Sequence, residues 1–504
     1  MKRYRRPMLP SRRVLLLHPD VGEWDDMRSS PALPLALLHA ASLVAQEFEV
    51  TIFDRRLHPA TWKRELQRLL ADDLLLVGAT AFTGPMIQSS LDMIALVRSH
   101  QPDVPVVWGG IHASLMPEQT VRSPWADYVI QGEGERPLLE LARALSEDRV
   151  PDGVPGLWRL DGDEAVHTPP AFEPLDGLPD PPWHLVDVAA YLPRYKGRKS
   201  LYFQGSRGCP LPCTYCYNVV FNERKWRALS PERVLSQIRH LHEEYGVEDI
   251  YFVDDMFFTH LRRAREIARG LVDIPVTWQV QGVDIMAMKR MTDADYELLL
   301  ESGCSRLTCG IESGSPRVRD YVKKDGTVED VLETTARLAR FPMTLYYSFL
   351  CGVPTETRGE LKETIDLMLR LTELNPHVHL SPIYNFTPYP GTELFDVAVE
   401  MGMPFPRTLE QWARFRHEEW NLFPDRKHFY ESLYFTTLFL DDKASDYDAP
   451  LPIRLAARAY RPIARFRTKN FFFRGMVERR AMTAAMAAWK TIGRNLAARR
   501  PAFT

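Results

Sequence analysis

The chain has 504 residues, 45% of them hydrophobic and 26% charged, with a formal net charge of −3 at pH 7. That length exceeds one ordinary core and predicts two or three domains. The near-balanced charge excludes a global pull toward nucleic acid, and six cysteines are too few for a disulfide framework and fit a cytoplasmic, reducing compartment.

In chain order, "SRRVLLL" looks like a twin-arginine signal. Its apolar run, Val14–Leu17, ends at once in His18-Pro19-Asp20, short of the roughly 7–15 apolar residues of a secretory core. It predicts a first β-strand instead. Residues 13–140 then alternate apolar strands ("FEVTIFD", "DLLLVGATAF", "VPVVWGG", "ADYVIQGEGE") with helical stretches such as "ALPLALLHAASLVAQ". This alternation predicts an α/β domain over 1–148, a Rossmann-like doubly wound parallel sheet. Such sheets bind ligands at the carboxyl ends of their strands. Thr80, Phe82, Gly109, Gly110, Gly132 and Gly134 fall at such ends. The dinucleotide fingerprint G-x-G-x-x-G is missing.

Residues 149–198, with "PLDGLPDPPW", predict a linker or an extended strap. From 199 the alternation resumes in "SLYFQGS", "DIYFVDD", "VTWQVQG", "RLTCGIES", "MTLYYSFLCG" and "VHLSPIYNF". "LYFQGS" resembles a protease-site scar, but it runs directly into the next motif and is read as native strand. In "SPERVLSQIRHLHEEYG", Ser230 stands as N-cap, Pro231 at the first helical position, and Val234, Ile238, Leu241 and Tyr245 on one face. Six strand–helix units over 199–415 predict a partial (β/α)6 TIM-type barrel, two units short of a full one.

Residues 416–504 predict a mainly helical extension, with "FLDDKASDYDAP" as an acidic linker. Residues 451–504 hold thirteen Arg or Lys and one acid, Glu478, interleaved with Phe471–Phe473, Met476, Met482, Met486 and Trp489. Such a tail either lies on an anionic membrane surface or packs on the barrel with its arginines in solvent. No apolar run reaches the roughly 18 residues of a spanning helix.

"RGCPLPCTYCYN" puts Cys209, Cys213 and Cys216 directly after the first barrel strand, at the mouth where such folds place chemistry. Structural zinc needs a fourth ligand, and the spacing of His240 and His242 suits none of the common zinc patterns. Three thiolates on a four-iron cluster leave one iron open to a substrate.

Cys-x3-Cys-x2-Cys, with Tyr215 before the last cysteine, resembles the radical S-adenosylmethionine (SAM) enzymes. The resemblance implies that Cys209, Cys213 and Cys216 bind a 4Fe–4S cluster whose open iron chelates SAM. A 5′-deoxyadenosyl radical then abstracts hydrogen from carbon. It places SAM contacts at Tyr215, at Asp254 and Asp255 in "YFVDDMFF", at Glu312 in "CGIESGS" and at Pro354 in "GVPTET", where Thr355 replaces the usual glycine. "PYPGTELF" matches the late Pro-Gly-Thr signature. At "WQVQGVD" the family's arginine is absent, and Gly282-Val283 stand there. Cys304, Cys309 and Cys351 are read as ordinary buried thiols.

The N-terminal "VVWGGIHASLMPEQ" and "ADYVIQGEGE" resemble the cobalamin-binding domain that precedes many such barrels. The resemblance implies that Thr80, Gly109, Gly110 and Gly132 make room for cobalamin. The Asp-x-His-x-x-Gly pattern that supplies a histidine to cobalt is absent. The expectation is therefore base-off cobalamin with no histidine on cobalt; His18 and His112 are the tempting substitutes.

The resemblances imply a cobalamin-dependent radical SAM enzyme that methylates an unactivated carbon. Its substrate would be a small molecule, a lipid, isoprenoid or natural-product intermediate, and its electron donor a flavodoxin or ferredoxin. Two alternatives stay open: a non-methylating cyclase or ring-contraction enzyme on the same cofactors, and a cobalamin or iron–sulfur sensor without turnover. Methylthiotransferases need further N-terminal cysteines, and none precedes Cys209.

Overall fold

The computed structural model describes residues 13–22, 30–415, 422–441 and 451–480. Five parallel strands form the N-terminal sheet: β1 (Arg13–His18), β2 (Glu49–Asp54), β3 (Leu76–Thr80), β4 (Val106–Gly109) and β5 (Tyr128–Ile130). β1 shows why an unbroken apolar run suits a sheet covered on both faces. Val14 and Leu16 enter one buried cluster, and Leu15 and Leu17 enter another.

The segment expected to be a linker or strap over 149–198 begins as part of this sheet. β6 (Leu157–Asp161) pairs antiparallel with β5, and β7 (Glu164–His167) pairs with β6, giving the order β2-β1-β3-β4-β5-β6-β7. Asp161 faces Glu164 across a two-residue turn in which Gly162 takes φ +60°, the conformation tight hairpins need. The rest is a strap that buries Leu175, Leu178, Trp183, Val188 and Tyr191.

β8 (Arg194–Tyr195) pairs antiparallel with β9 (Arg198–Phe203). A small ribbon of β10 (Ser206–Arg207) and β11 (Arg227–Ala228) brackets the cysteine loop. β12 (Asp249–Phe252), β13 (Thr277–Val283), β14 (Cys304–Glu312), β15 (Thr344–Cys351) and β16 (Val378–Asn385) continue from β9, all neighbours parallel. The order β16-β15-β14-β13-β12-β9-β8 is the expected six-stranded partial barrel plus one short edge strand. Helix Pro231–Tyr245 buries Val234, Ile238 and Leu241, and Gly246 at φ +65° ends it. Ser230 takes the N-cap position, but its side chain makes no capping bond.

Near residue 415 the chain returns to the first domain. Leu409, Trp412, Ala413 and Phe415 lie in the apolar core of the N-terminal sheet, and Trp412 Nε1 donates to Gln119 Oε1 at 2.6 Å. Helix Lys427–Thr437 covers β16. Helix Leu451–Asn470 packs on it through Thr468, whose hydroxyl donates to Thr436 Oγ1 at 2.8 Å. Among the described residues no helix is long and apolar enough to cross a membrane.

Candidate active site

The cysteine loop leaves β10 through Gly208 at φ +87°, where a Cβ would stand 1.9 Å from the Lys225 carbonyl oxygen. Only glycine fits there. Its N–H donates to Asp255 Oδ2 at 2.9 Å. Downstream, Thr214 N donates to Val322 O, and Leu394 N donates to Thr214 O, both at 3.2 Å. The loop is therefore fastened at its start and at its middle. Burial pushes the Cys209 thiol up to about 11 and Cys216 up to about 12, and raises Cys213 as well; each is pushed further by a neighbouring cysteine or carboxylate. Burial thereby favours the neutral thiols over the thiolates near neutral pH. Among the described residues no three His, Cys, Asp or Glu side chains close on a single metal ion.

The two adjacent carboxylates after β12 do different work. Asp254 is buried and accepts from Gly205 N at 2.8 Å and from the Ser206 hydroxyl. Arg263 beside it donates to the Gly205 and Leu229 carbonyls, each at 2.8 Å. Burial raises Asp254 to about 6 against the pull of Arg263. Asp255 instead accepts from Gly208 N and from the Tyr217 hydroxyl at 3.2 Å, and it lines the cavity described below. Near the end of β13, where the arginine is absent, Gly282 leaves no room for a side chain. A Cβ at Gly282 would lie 2.1 Å from Asp254 O and 2.4 Å from Asp255 O.

Glu312 ends β14 at φ +69°, buried, 4.0 Å from the Lys324 ammonium and hydrogen-bonded to Tyr215. Burial raises its carboxyl, and Lys324 opposes that shift. Left-handed backbone at a non-glycine residue is strained and gathers at functional sites. Thr355 has φ +66°, which accounts for the glycine usual at that position. Pro354 before it is buried. Glu356 accepts from Gly352 N at 2.6 Å.

Between the domains lies a cavity of about 280 Å³. Thr80, Gly109, Gly110 and Gly132 line it from the sheet, and Gln204, Arg207, Tyr217 and Asp255 from the barrel. Gly110, at φ +86°, lets the chain pass Thr80, since a Cβ would meet Thr80 Oγ1 at 2.4 Å; a Cβ at Gly109 would meet nothing within 4 Å. Phe82 stands 52% exposed at the cavity. His18 lines it too, with Nδ1 2.9 Å from Pro19 O, and burial and then Arg56 push it down to about 4. His112 lies outside the lining, fully buried, with Nδ1 3.0 Å from Thr83 Oγ1 and its ring edge-on to Trp412.

His39 was not singled out from sequence. It lines the cavity with a buried Nε2 that has no hydrogen-bond partner. Its only signal was a polar residue inside "LALLHAASLV". Also missed was the ion network that joins the domains. Arg207 meets Glu133 at 3.0 Å and Glu135 at 2.6 Å, and Arg227 meets Glu133 at 2.6 Å.

The cavity is largely apolar, lies under the carboxyl edge of the sheet, and is bounded on the barrel side by Arg207 and Tyr217, the residues that flank the cysteine loop. Models of the radical SAM superfamily and of the B12 binding domain match residues 203–368 and 30–142. An uncharacterized methyltransferase of Pyrococcus horikoshii is 31% identical over 394 residues, 77% of this chain and 83% of that one. The anaerobic magnesium-protoporphyrin IX monomethyl ester cyclase of Cereibacter sphaeroides is 28% identical over 401 residues, 76% of this chain and 63% of that one. The cytidylyl-2-hydroxyethylphosphonate methyltransferase of Streptomyces wedmorensis is 26% identical, over 78% and 83%. Among solved structures, OxsB with aqua-cobalamin and S-adenosylmethionine bound superposes with TM-score 0.73 at 19% identity, over 91% of this chain and 72% of that one. TsrM from Kitasatospora setae, with cobalamin and a 4Fe–4S cluster bound, gives 0.63 at 22%, over 78% and 76%. The chain belongs to the radical SAM enzymes that carry a B12-binding domain.

Proposed function

We propose that this enzyme methylates an unactivated carbon of a small molecule held between its two domains. The observation that carries this reading is the single cavity wall shared by Gly109 and Gly110 on one side and by Asp255 and Tyr217 on the other. When bound, the 4Fe–4S cluster with SAM and cobalamin would supply the radical and methyl-transfer chemistry. The protein's part is placement. Cys209, Cys213 and Cys216 would hold three irons, Glu312, Tyr215 and Asp255 would orient SAM, and the Pro354–Thr355 turn would close over it. Asp254 acts behind them, fastening Gly205 and Ser206 so that the cysteine loop keeps its place. Thr80, Gly109, Gly110 and Gly132 would floor the corrinoid.

Cobalamin would bind base-off without a histidine on cobalt. His112 is held by Thr83 outside the cavity, whereas His18 and His39 line it, so an unchanged cobalamin absorbance spectrum in H18A and H39A is the result this reading expects. A flavodoxin or ferredoxin would deliver electrons, and activity would require anaerobic conditions. Similarity to the cyclase supports a second reading, oxidative ring closure on the same cofactors.

Cobalt and iron per chain, after anaerobic reconstitution with iron, sulfide and hydroxocobalamin, test the cofactor pair. About one cobalt and four irons are expected, and iron without cobalt would overturn cobalamin-dependent methyl transfer. Transfer of label from methyl-labelled SAM to product then separates methylation from ring closure.

A further inference from the structure

We propose that helix Leu451–Asn470 docks this enzyme on the surface of an anionic lipid bilayer. A surface helix of a soluble protein turns its apolar stripe inward. Here the arrangement is reversed. Leu451, Leu455, Ile463 and Phe466, all at least 50% exposed, follow helical spacing on one face. Phe472, its ring 6.2 Å from that of Phe466, and Val477, 68% exposed, extend the patch past the helix end. The opposite face does the packing. Ala464 and Thr468 are fully buried, and Arg465 reaches Glu373 at 3.0 Å. The stripe is thus surplus to what holds the helix on the body.

The charges beside it divide in the same way. Arg465, Arg467 and Arg479 pair with Glu373, Glu478 and Glu431. Arg454, Arg458, Lys469, Arg474 and Arg480 are exposed and form no ion pair among the described residues. Over 451–504 thirteen basic residues stand against one acid. An exposed apolar stripe edged by unpaired cations matches the acyl boundary and anionic headgroups of a membrane together. A water-facing role needs only the cations, and a protein partner would have to bring an acidic rim around an apolar centre. Because no described helix can span a bilayer, the contact is peripheral.

The test is flotation of the full-length protein with vesicles of phosphatidylcholine plus phosphatidylglycerol, and of phosphatidylcholine alone. Binding to the anionic vesicles is expected, weakening as salt screens the cations. It should fall about tenfold in L455E/F466E and in R454E/R458E, with circular dichroism and iron content unchanged. These positions are exposed, so the variants should fold. Absence of flotation with anionic vesicles at low salt would overturn the proposal, as would equal flotation of L455E/F466E. Light scattering that shows a dimer dissociated by L455E/F466E would overturn it too, by assigning the stripe to a second copy of the chain.

Discussion

Arg207 and Glu135 form a buried ion pair across the domain boundary, 2.6 Å apart and two residues ahead of Cys209. Glu133 shares the guanidinium at 3.0 Å. The pair ties the strand-end loop of the first domain to the start of the cluster loop. Removing one partner of such a pair leaves an uncompensated buried charge, which costs about 3–5 kcal/mol. Arg207→Ala should lower stability by about that much in urea unfolding of the metal-free protein. A change below about 1 kcal/mol would show that water already screens the pair.

Cys213→Ala should reduce bound iron after reconstitution from about four per chain to background and abolish 5′-deoxyadenosine formation. Cys304→Ala, on a buried strand of the barrel, should keep the iron. Equal iron in both variants would remove the cysteine loop from the cluster.

Gly282→Ala places a methyl 2.1 Å from Asp254 O, which forces the Asp254–Asp255 loop away from β13. SAM affinity of the reconstituted enzyme, measured by equilibrium dialysis, should drop about tenfold or more, since a displacement of about 1 Å near a site carries that order of cost. Unchanged affinity would mean that Asp255 does not orient SAM.

Burial raises the Glu356 carboxyl from its ordinary 4.5 to about 7; Glu360 adds to the shift, and the Gly352 N–H and Arg317 oppose it. Between these values the native chain keeps a proton that the unfolded chain has released. Stability therefore falls as pH rises from about 4.5 to about 7 and is level for this group above that. Glu356→Gln mimics the protonated form. It should match the parent protein near pH 4.5 and exceed it at pH 8 by up to about 3 kcal/mol. Denaturant midpoints across that range check the slope, and parallel curves would contradict it.

The sequence shows the two sheets well because their strands are local apolar runs, as "VLLL" and "IYFV" are. It showed the cysteine loop equally well, since Cys209, Cys213 and Cys216 lie within eight positions. The hairpin Leu157–His167 was hidden by polar, half-exposed strands beside a proline-rich stretch. Asp254 and Asp255 look alike in sequence. Only the direction in which each leaves β12 makes one a fastener and the other a wall of the cavity. The Arg207–Glu135 pair joins residues far apart in the chain and leaves no periodicity to read.

The return of Leu409–Phe415 to the first core orders events during synthesis. The Phe415 carbonyl comes within 3.0 Å of where a Cβ on Gly84 would stand, and Trp412 fills the same core as Trp108. The ribosome makes the N-terminal sheet and its covering helices first, and the segment that completes this cluster emerges some 300 residues later. Until then the cluster that Trp62, Leu66, Ile87 and Ile94 already form over the sheet lacks the Trp412 and Phe415 side chains. The cavity between the domains takes its last lining residue from Asp255, so its wall is translated well before this segment.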